Sequence, residues 1–150
     1  MSQLRVLHTN FLHGWGGQSN RILTECEGLA ARGWNVVISA PPDSQLLKRA
    51  QARGLAVTGA VRYVGGLRRG FLAEIVAMRR LLGEFRPDIV HLHGGKDSWV
   101  VAEALAVRPP APRPVIVRTK HNVFPVRDHL LNRWQYGRFF DQIIGLSTAI

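Results

Sequence analysis

Cysteine, acidic residues and long apolar runs are scarce in this sequence of 150 residues. The single cysteine, Cys26, excludes an internal disulfide framework and a cysteine-based zinc site. No stretch reaches the ~20 consecutive apolar residues of a membrane span, and the residues after Met1 lack the basic and apolar segments of a secretory leader. A hydrophobic fraction of 46% is enough for a packed core, so we expect one cytoplasmic domain over residues 1–150.

Acidic side chains number 10 against 20 Lys and Arg, which gives a formal net charge of +10. The excess is uneven, because six arginines face two glutamates in residues 62–86 and seven basic residues face only Asp128 in residues 108–138. This imbalance predicts an anionic partner, such as a phosphorylated substrate, an anionic lipid or a nucleic acid. A solvated basic surface without a partner is the alternative.

Short apolar runs alternate with helical patterns along the whole chain. These runs are apolar throughout, which is typical of strands in a sheet covered on both faces. Strands that alternate with helices are joined by parallel crossovers. The sequence therefore predicts an α/β fold, a doubly wound Rossmann-like three-layer sandwich around a mainly parallel sheet. Six strands are expected, over Arg5–Thr9, Asn35–Ala40, Leu55–Val61, Ile89–His93, Val115–Thr119 and Gln142–Leu146.

Two predicted helices are informative. A stripe of apolar residues at helical spacing, from Phe71 to Phe85, predicts a helix from about Arg69 to Arg86 that Pro87 ends. A second helix is expected from Asp128 to Phe140, with basic and aromatic side chains mixed along it. Basic and aromatic residues also occur together where Arg68 and Arg69 precede Phe71. Such a mixture suits an anionic membrane surface. The alternative is a helix that faces the core and has a solvated basic side.

The loop after the first strand reads NFLHGWGGQS and places Gly14, Gly16 and Gly17 directly before a helix. Glycine lets the backbone approach a ligand closely, and a helix start presents free N–H groups, so this turn suits a phosphate. A tight turn without a ligand is the alternative. A P-loop would have Lys and then Ser or Thr after Gly17. A dinucleotide fingerprint would have Gly or Ala in place of Ser19 and an acidic residue at the end of the second strand. The sequence matches neither motif.

Two further strands end in polar residues, and ligands of doubly wound sheets bind beyond the carboxyl ends of the strands. His91 and His93 share one face of the fourth strand, and the fifth ends in Arg118-Thr119-Lys120-His121-Asn122. His93 and His121 are therefore candidate site residues, with packing roles as the alternative. Two histidines without a fixed third partner do not make a metal site.

Four segments taken in order, Gly16-Gly17, DIVHLHG, RTKHN and DQIIGLST, resemble the N-terminal half of retaining GT-B glycosyltransferases. This large group includes lipopolysaccharide and phosphatidylinositol mannosyl and glucosyl transferases. The resemblance extends over nearly the whole chain. It implies an acceptor-side domain that closes over a nucleotide-sugar donor held by a C-terminal domain, which is absent from this sequence, so the chain alone should be inactive.

The resemblance also implies roles for single residues. Gly16 and Gly17 would approach the donor diphosphate, and His121 would contact the donor sugar near the reacting carbon. The cleft would be lined by His93, Lys120, Asn122 and Ser19. Family members commonly have Glu where this chain has Ser19. The nucleotide sugar would be a co-substrate and not a cofactor, no metal is expected, and the acceptor would be a lipid-linked or other saccharide at the inner face of the membrane.

Two other functions fit parts of the sequence. A non-catalytic module could bind anionic lipid or nucleic acid through the basic surface, although its arginines are scattered and do not form one aromatic-laced groove, which makes nucleic acid the weaker partner. A dinucleotide-dependent oxidoreductase domain is the third possibility, and the missing acid after the second strand argues against it.

Overall fold

The structure, a computed structural model, describes residues 3–64, 70–107, 109–122 and 124–146. Six parallel strands form one sheet in the order β3-β2-β1-β4-β5-β6. The strands are β1 (Arg5–Thr9), β2 (Asn35–Ser39), β3 (Ala56–Thr58), β4 (Ile89–Leu92), β5 (Val115–Lys120) and β6 (Gln142–Gly145). The helices are α1 (Gly17–Ala31), α2 (Gln45–Ala52), α3 (Phe71–Phe85), α4 (Gly95–Val107) and α5 (Leu130–Trp134), and a π-helical turn follows at Gln135–Phe139.

The sheet has helices on both faces, and each face has its own apolar core. On one face Val36 and Ile38 pack with residues of α1 and α2, including Cys26. On the other, Leu7 and Val90 pack with residues of α3 and α4. Alternate strand residues therefore serve opposite cores, as parallel crossovers require. The predicted doubly wound, six-stranded fold is confirmed.

Short-range signals set the helix ends. Gly33 follows α1 with a φ of 82° and donates its N–H to the carbonyl of Ala30 at 2.9 Å, a conformation in which glycine carries no Cβ penalty. The side chain of Ser44 accepts from the N–H of Leu47 at 3.3 Å and caps α2, as an N-terminal serine does.

The segment from Asp128 to Phe140 is not the single regular α-helix that the sequence predicted. The α-helix begins only at Leu130, and after Trp134 the chain widens into the π-helical turn, in which Phe140 N donates to Gln135 O at 3.1 Å. The widening brings two consecutive rings, Phe139 and Phe140, into the same core, which the 100° step of an α-helix does not favour.

Several other boundaries differ slightly. The third strand is shorter than expected, and α4 begins at Gly95, before Asp97. Some expected features lie outside the described residues, namely the helix start at Arg69, the pair Arg68 and Arg69, Arg108, and the end of the DQIIGLST segment. Among the described helices, none has the length and apolar character needed to cross a membrane.

Strand order reverses between β1 and β4. The chain runs from β1 outward to β3 in one direction, and from β4 outward to β6 in the other. In open α/β sheets the crevice for a ligand opens at such a reversal, beyond the carboxyl ends of the two central strands. The loops after β1, β4 and β5 all meet at this edge.

Candidate functional site

The glycine turn after β1 is open. Gly16 and Gly17 are exposed, and a Cβ placed on either would meet no described atom within 4 Å. Gly16 has an extended backbone with φ of −168°, so these glycines are not needed for a left-handed conformation. What their lack of a side chain provides is free space directly above the start of α1.

The start of α1 has unused donors. Gly16 occupies the N-cap position, no side chain of the described chain caps the helix, and no acidic residue lies in its first turn. The first N–H groups and the positive end of the helix dipole are therefore available to an anion.

Ser19 lies inside this turn and not on its surface. Its side chain is fully buried, and its hydroxyl donates to the carbonyl of Gly14 at 3.4 Å. It shares the sheet-facing side of α1 with Ile22, Leu23 and Cys26, since these residues recur at helical spacing. This burial differs from the cleft-lining position predicted for Ser19.

A cluster of three buried histidines lies beside α1 at the strand reversal. His8 on β1 is in register with His91 on β4, and His93 follows directly after β4. The ring centroids are 4.8 Å apart for His8 and His91, and 4.2 Å apart for His91 and His93. The Nδ1 atom of His8 lies 3.1 Å from Nε2 of His93.

His121 extends this cluster to the surface. Its Nε2 lies 2.9 Å from Nδ1 of His93, and its ring is half-buried. His93 itself is only 1% exposed, so it lies behind His121, which differs from the cleft-lining position predicted for it. Lys120 is partly buried and Asn122 is exposed, so both lie at the outer edge beside His121.

His91 is held on both sides of its ring. Its Nδ1 contacts Oε1 of Glu25 on α1 at 3.2 Å, and its Nε2 contacts the hydroxyl of Thr119 on β5 at 2.7 Å. Since a carboxylate only accepts, Nδ1 of His91 carries a proton and donates it to Glu25. This bridge connects the helix that begins at Gly17 to the strand that leads to His121.

The three histidines could also be considered as a metal site. One nitrogen from each of His8, His91 and His93 lies within 4.8 Å of the others, so the third histidine that the sequence did not reveal is present. Both nitrogens of His91 and of His93, however, already have hydrogen-bond partners. An ion would have to replace these bonds.

Burial keeps His8, His93 and His121 neutral near pH 7. Desolvation, together with the neighbouring His91, lowers the pKa of His8 to about 3, and burial also lowers the pKa of His93 well below its usual value. Burial and the Arg118 guanidinium lower the pKa of His121 to about 4. Neutral imidazoles each offer one donor and one acceptor.

Asp97 fixes the loop after β4. Its Oδ2 accepts from the hydroxyl of Thr9 at 2.7 Å and from the backbone N–H groups of His93 and Gly94 at 3.0 and 3.1 Å. The side chain is fully buried, and this burial raises its pKa. Because Thr9 ends β1 and His93 follows β4, one carboxyl group joins the two strands at the reversal.

Sequence reasoning did not find His8, Glu25 or Asp97 as parts of this site. His8 lies in an otherwise apolar strand, and Asp97 lies in the first turn of α4. The available signal was the histidine in the RVLHT segment, since a lone polar residue in a buried strand needs a partner.

The comparisons with known proteins agree with this architecture. Residues 15–150 match the family model of Glycosyltransferase Family 4. Because this match covers most of the chain, the chain belongs to Glycosyltransferase Family 4. No curated protein gives a significant match to the sequence.

Solved structures share the fold at low identity. A glycosyltransferase from Rickettsia africae superposes with a TM-score of 0.75 and 13% identity over 98% of this chain and 38% of that one. MurG from Acinetobacter baumannii gives 0.71 and 13% over 99% and 43%. A protein from Listeria monocytogenes assigned as a UDP-N-acetylglucosamine 2-epimerase gives 0.65 and 14% over 99% and 40%. The chain thus spans about two fifths of the length of these proteins.

Proposed function

We propose that this chain is the acceptor-side half of a retaining glycosyltransferase. The whole enzyme would transfer a sugar from a nucleotide-sugar donor to a lipid-linked or polysaccharide acceptor. A second, C-terminal domain would hold the nucleotide, so this chain alone would not turn over. Membership of a glycosyltransferase family supports the proposal, and so does a length of about two fifths of the solved neighbours.

The observation that carries the proposal is the meeting of two features at one edge of the sheet. The open turn at Gly16 and Gly17 begins α1, and α1 reaches the histidine cluster through Glu25. His121 is the half-buried outer member of that cluster. In this proposal the free N–H groups of the turn meet the negative charge that develops on the leaving diphosphate, and His121 contacts the donor sugar.

A cavity at the same edge has room for an acceptor. It measures about 340 Å³, and its lining includes Phe11, Tyr63, the two cations Arg62 and Lys96, and one carboxylate, Asp43. Cations of this kind favour an acceptor that carries phosphate or carboxylate groups. This supports a lipid-linked acceptor, whose linkage is commonly a phosphate.

The direct test uses the protein in which the C-terminal nucleotide-sugar domain follows this chain. His121→Ala should lower sugar transfer by roughly 100-fold, because a contact made to the reacting sugar is lost, while the melting temperature stays close to that of the wild type. Arg80→Ala, on an exposed helix surface where Arg80 pairs only with Glu84, should change neither. Full transfer by His121→Ala would refute the role of His121.

We further propose that the segment around α5 lies against an anionic membrane. Large apolar side chains are exposed there, with Phe124 at 73% and Leu130 at 81%, and Arg127 is exposed between them. Apolar side chains beside cations suit the headgroup region of a bilayer. The chain should sediment with vesicles containing anionic lipid, and Leu130→Ser should weaken this binding; equal binding to neutral vesicles would argue against the electrostatic part.

A further inference from the structure

Three imidazoles form one hydrogen-bonded row from the interior to the edge of the sheet. His8 Nδ1 lies 3.1 Å from His93 Nε2, and His93 Nδ1 lies 2.9 Å from His121 Nε2. At the inner end, Nε2 of His8 is buried and has no hydrogen-bond partner in the described chain. At the outer end, Nδ1 of the half-buried His121 makes no hydrogen bond to a described residue.

The proton count leaves only two arrangements of this row. Each neutral imidazole has one N–H and one lone pair, and each of the two contacts needs one of each. Either every N–H points outward, from His8 to His93 to His121, or every N–H points inward. Mixed arrangements would set two N–H groups or two lone pairs against each other.

The inner end decides between the two arrangements. The inward arrangement puts a proton on Nε2 of His8, where a buried N–H would find no acceptor. The outward arrangement leaves a lone pair there instead. Buried backbone N–H groups without an acceptor are rarer in folded proteins than under-satisfied backbone acceptors. The same preference, applied to the ring of His8, favours the outward arrangement.

We propose that His8 and His93 form a directional relay that holds His121 as the Nδ1–H tautomer, ready to donate to a ligand oxygen. His8 and His93 are positioning residues in this scheme, since neither reaches the surface. The inference rests on the proposed function only in taking that oxygen from a donor sugar or its diphosphate. The tautomer itself follows from the row of imidazoles.

The relay also assigns His121 a donor role and not the role of a base. Its Nε2 lone pair already accepts from His93, so no lone pair is left to take a proton from a ligand. If His121 gave its Nδ1 proton to a ligand, it could be reprotonated only from the row. The Nδ1 proton of His93 would move to His121, and the Nδ1 proton of His8 would move to His93. His8 would end as an anion, because nothing in the described chain can protonate its Nε2.

Nitrogen NMR of the chain labelled with 15N-histidine tests the relay. Long-range couplings between ring protons and nitrogens distinguish a protonated from a bare nitrogen, and we expect His121 to carry its proton on Nδ1. His129 is an internal reference of the opposite kind, because its Nδ1 accepts from Asn132 N at 3.2 Å, so the neutral form of this ring carries its proton on Nε2.

The variant His93→Leu removes the middle of the row. His121 should then lose the Nδ1–H form as its majority state, because Nε2 no longer receives a proton donor, while His129 keeps its tautomer. An Nε2–H form of His121 in the wild-type chain would overturn the relay, as would an unchanged His121 tautomer in His93→Leu. If the variant does not fold, the wild-type spectrum alone decides.

A bound metal ion and a failure of the proposed function would each give a result distinct from that of the relay. One equivalent of zinc retained by the purified chain and lost in His8→Leu would overturn the relay, since an ion would occupy the lone pairs. Failure of the proposed function would instead give full sugar transfer by His121→Ala, and it would leave the wild-type tautomer measurement unaffected.

Discussion

Nδ1 of His93 lies 2.9 Å from Nε2 of His121, so an enclosed ring and a half-exposed ring act as one hydrogen-bonded unit. His93 cannot contact a ligand directly because His121 and the sheet enclose it. The DIVHLHG segment therefore places His93 behind His121, and His121, directly after β5, is the outer member of the pair.

The open glycine turn predicts a variant that keeps its stability but loses binding. Gly17→Ala adds a methyl group that meets no described atom, and alanine favours the helix by up to about 1 kcal/mol. The same methyl would enter the space proposed for the donor diphosphate. In the two-domain protein, donor KM should rise by roughly tenfold or more, as a lost close contact would require.

Gly83→Ala is the matched control for Gly17→Ala. Gly83 also has open space around its Cβ and lies within α3, so the melting temperature should again be unchanged or higher. Its donor KM should stay at the wild-type value. Equal kinetics for the two variants would contradict a ligand above Gly17.

Two adjacent glycines after β4 should respond in opposite ways. A Cβ on Gly94 would overlap the Phe11 ring and lie 2.6 Å from Oδ1 of Asp97, whereas a Cβ on Gly95 would meet no described atom. Gly94→Ala should lower the free energy of unfolding by about 1–3 kcal/mol. Gly95→Ala, at the start of α4, should be neutral or stabilising, as urea denaturation can measure.

Removal of the Asp97 carboxyl should be costly. Asp97→Ala leaves the Thr9 hydroxyl and two backbone N–H groups without their acceptor in the interior, and each such group costs about 1–3 kcal/mol. Asp43→Ala is the comparison, because its carboxylate is exposed and pairs with the exposed His13, and an exposed pair contributes less than about 1 kcal/mol. Similar losses for both variants would argue against Asp97 as the junction of β1 and β4.

Stability should fall as the pH is lowered from about 6.5 toward 4. The folded pKa values of His8 and His93 lie far below the unfolded value of 6.5, so in this range the unfolded chain binds protons that the folded chain excludes. The free energy of unfolding should therefore rise with pH by about 1.4 kcal/mol per pH unit for each of these two buried histidines.

His8→Leu isolates one part of this pH dependence. The slope between pH 4.5 and 6.5 should decrease by about 1.4 kcal/mol per pH unit, because one excluded proton is lost. The difference between the two curves also cancels the carboxylates that both proteins share, including Asp97, whose raised pKa acts in the opposite direction. Identical slopes would mean that His8 does not titrate differently on unfolding.

The sequence predicted the elements of this fold well because their signals are local. Gly33 and Ser44 end or begin helices through contacts within a few residues, and the apolar strands need only their own composition. The π-helical turn at Gln135–Phe139 was missed because its cause is tertiary: two adjacent phenylalanines enter one core.

The site was predicted less completely because its decisive contacts cross the chain. His8 joins the histidine cluster because it is in register with His91, and this register requires β1 and β4 to be neighbours in the sheet. His93 was expected to line the cleft because it lies at a strand end, and Ser19 because the family resemblance implied it. Their burial follows from how α1 packs and from the bonds of Asp97 to the loop.

The 85 positions that separate His8 from His93 have a consequence for biosynthesis. A nascent chain that has emerged only as far as β3 contains His8 but none of its imidazole partners, and the edge of β1 that will pair with β4 is still bare. Closing so long a loop is slow compared with forming local helices. We therefore expect His121 to become ordered late in folding, because its partner His93 is held in place by contacts that join β1 and β4.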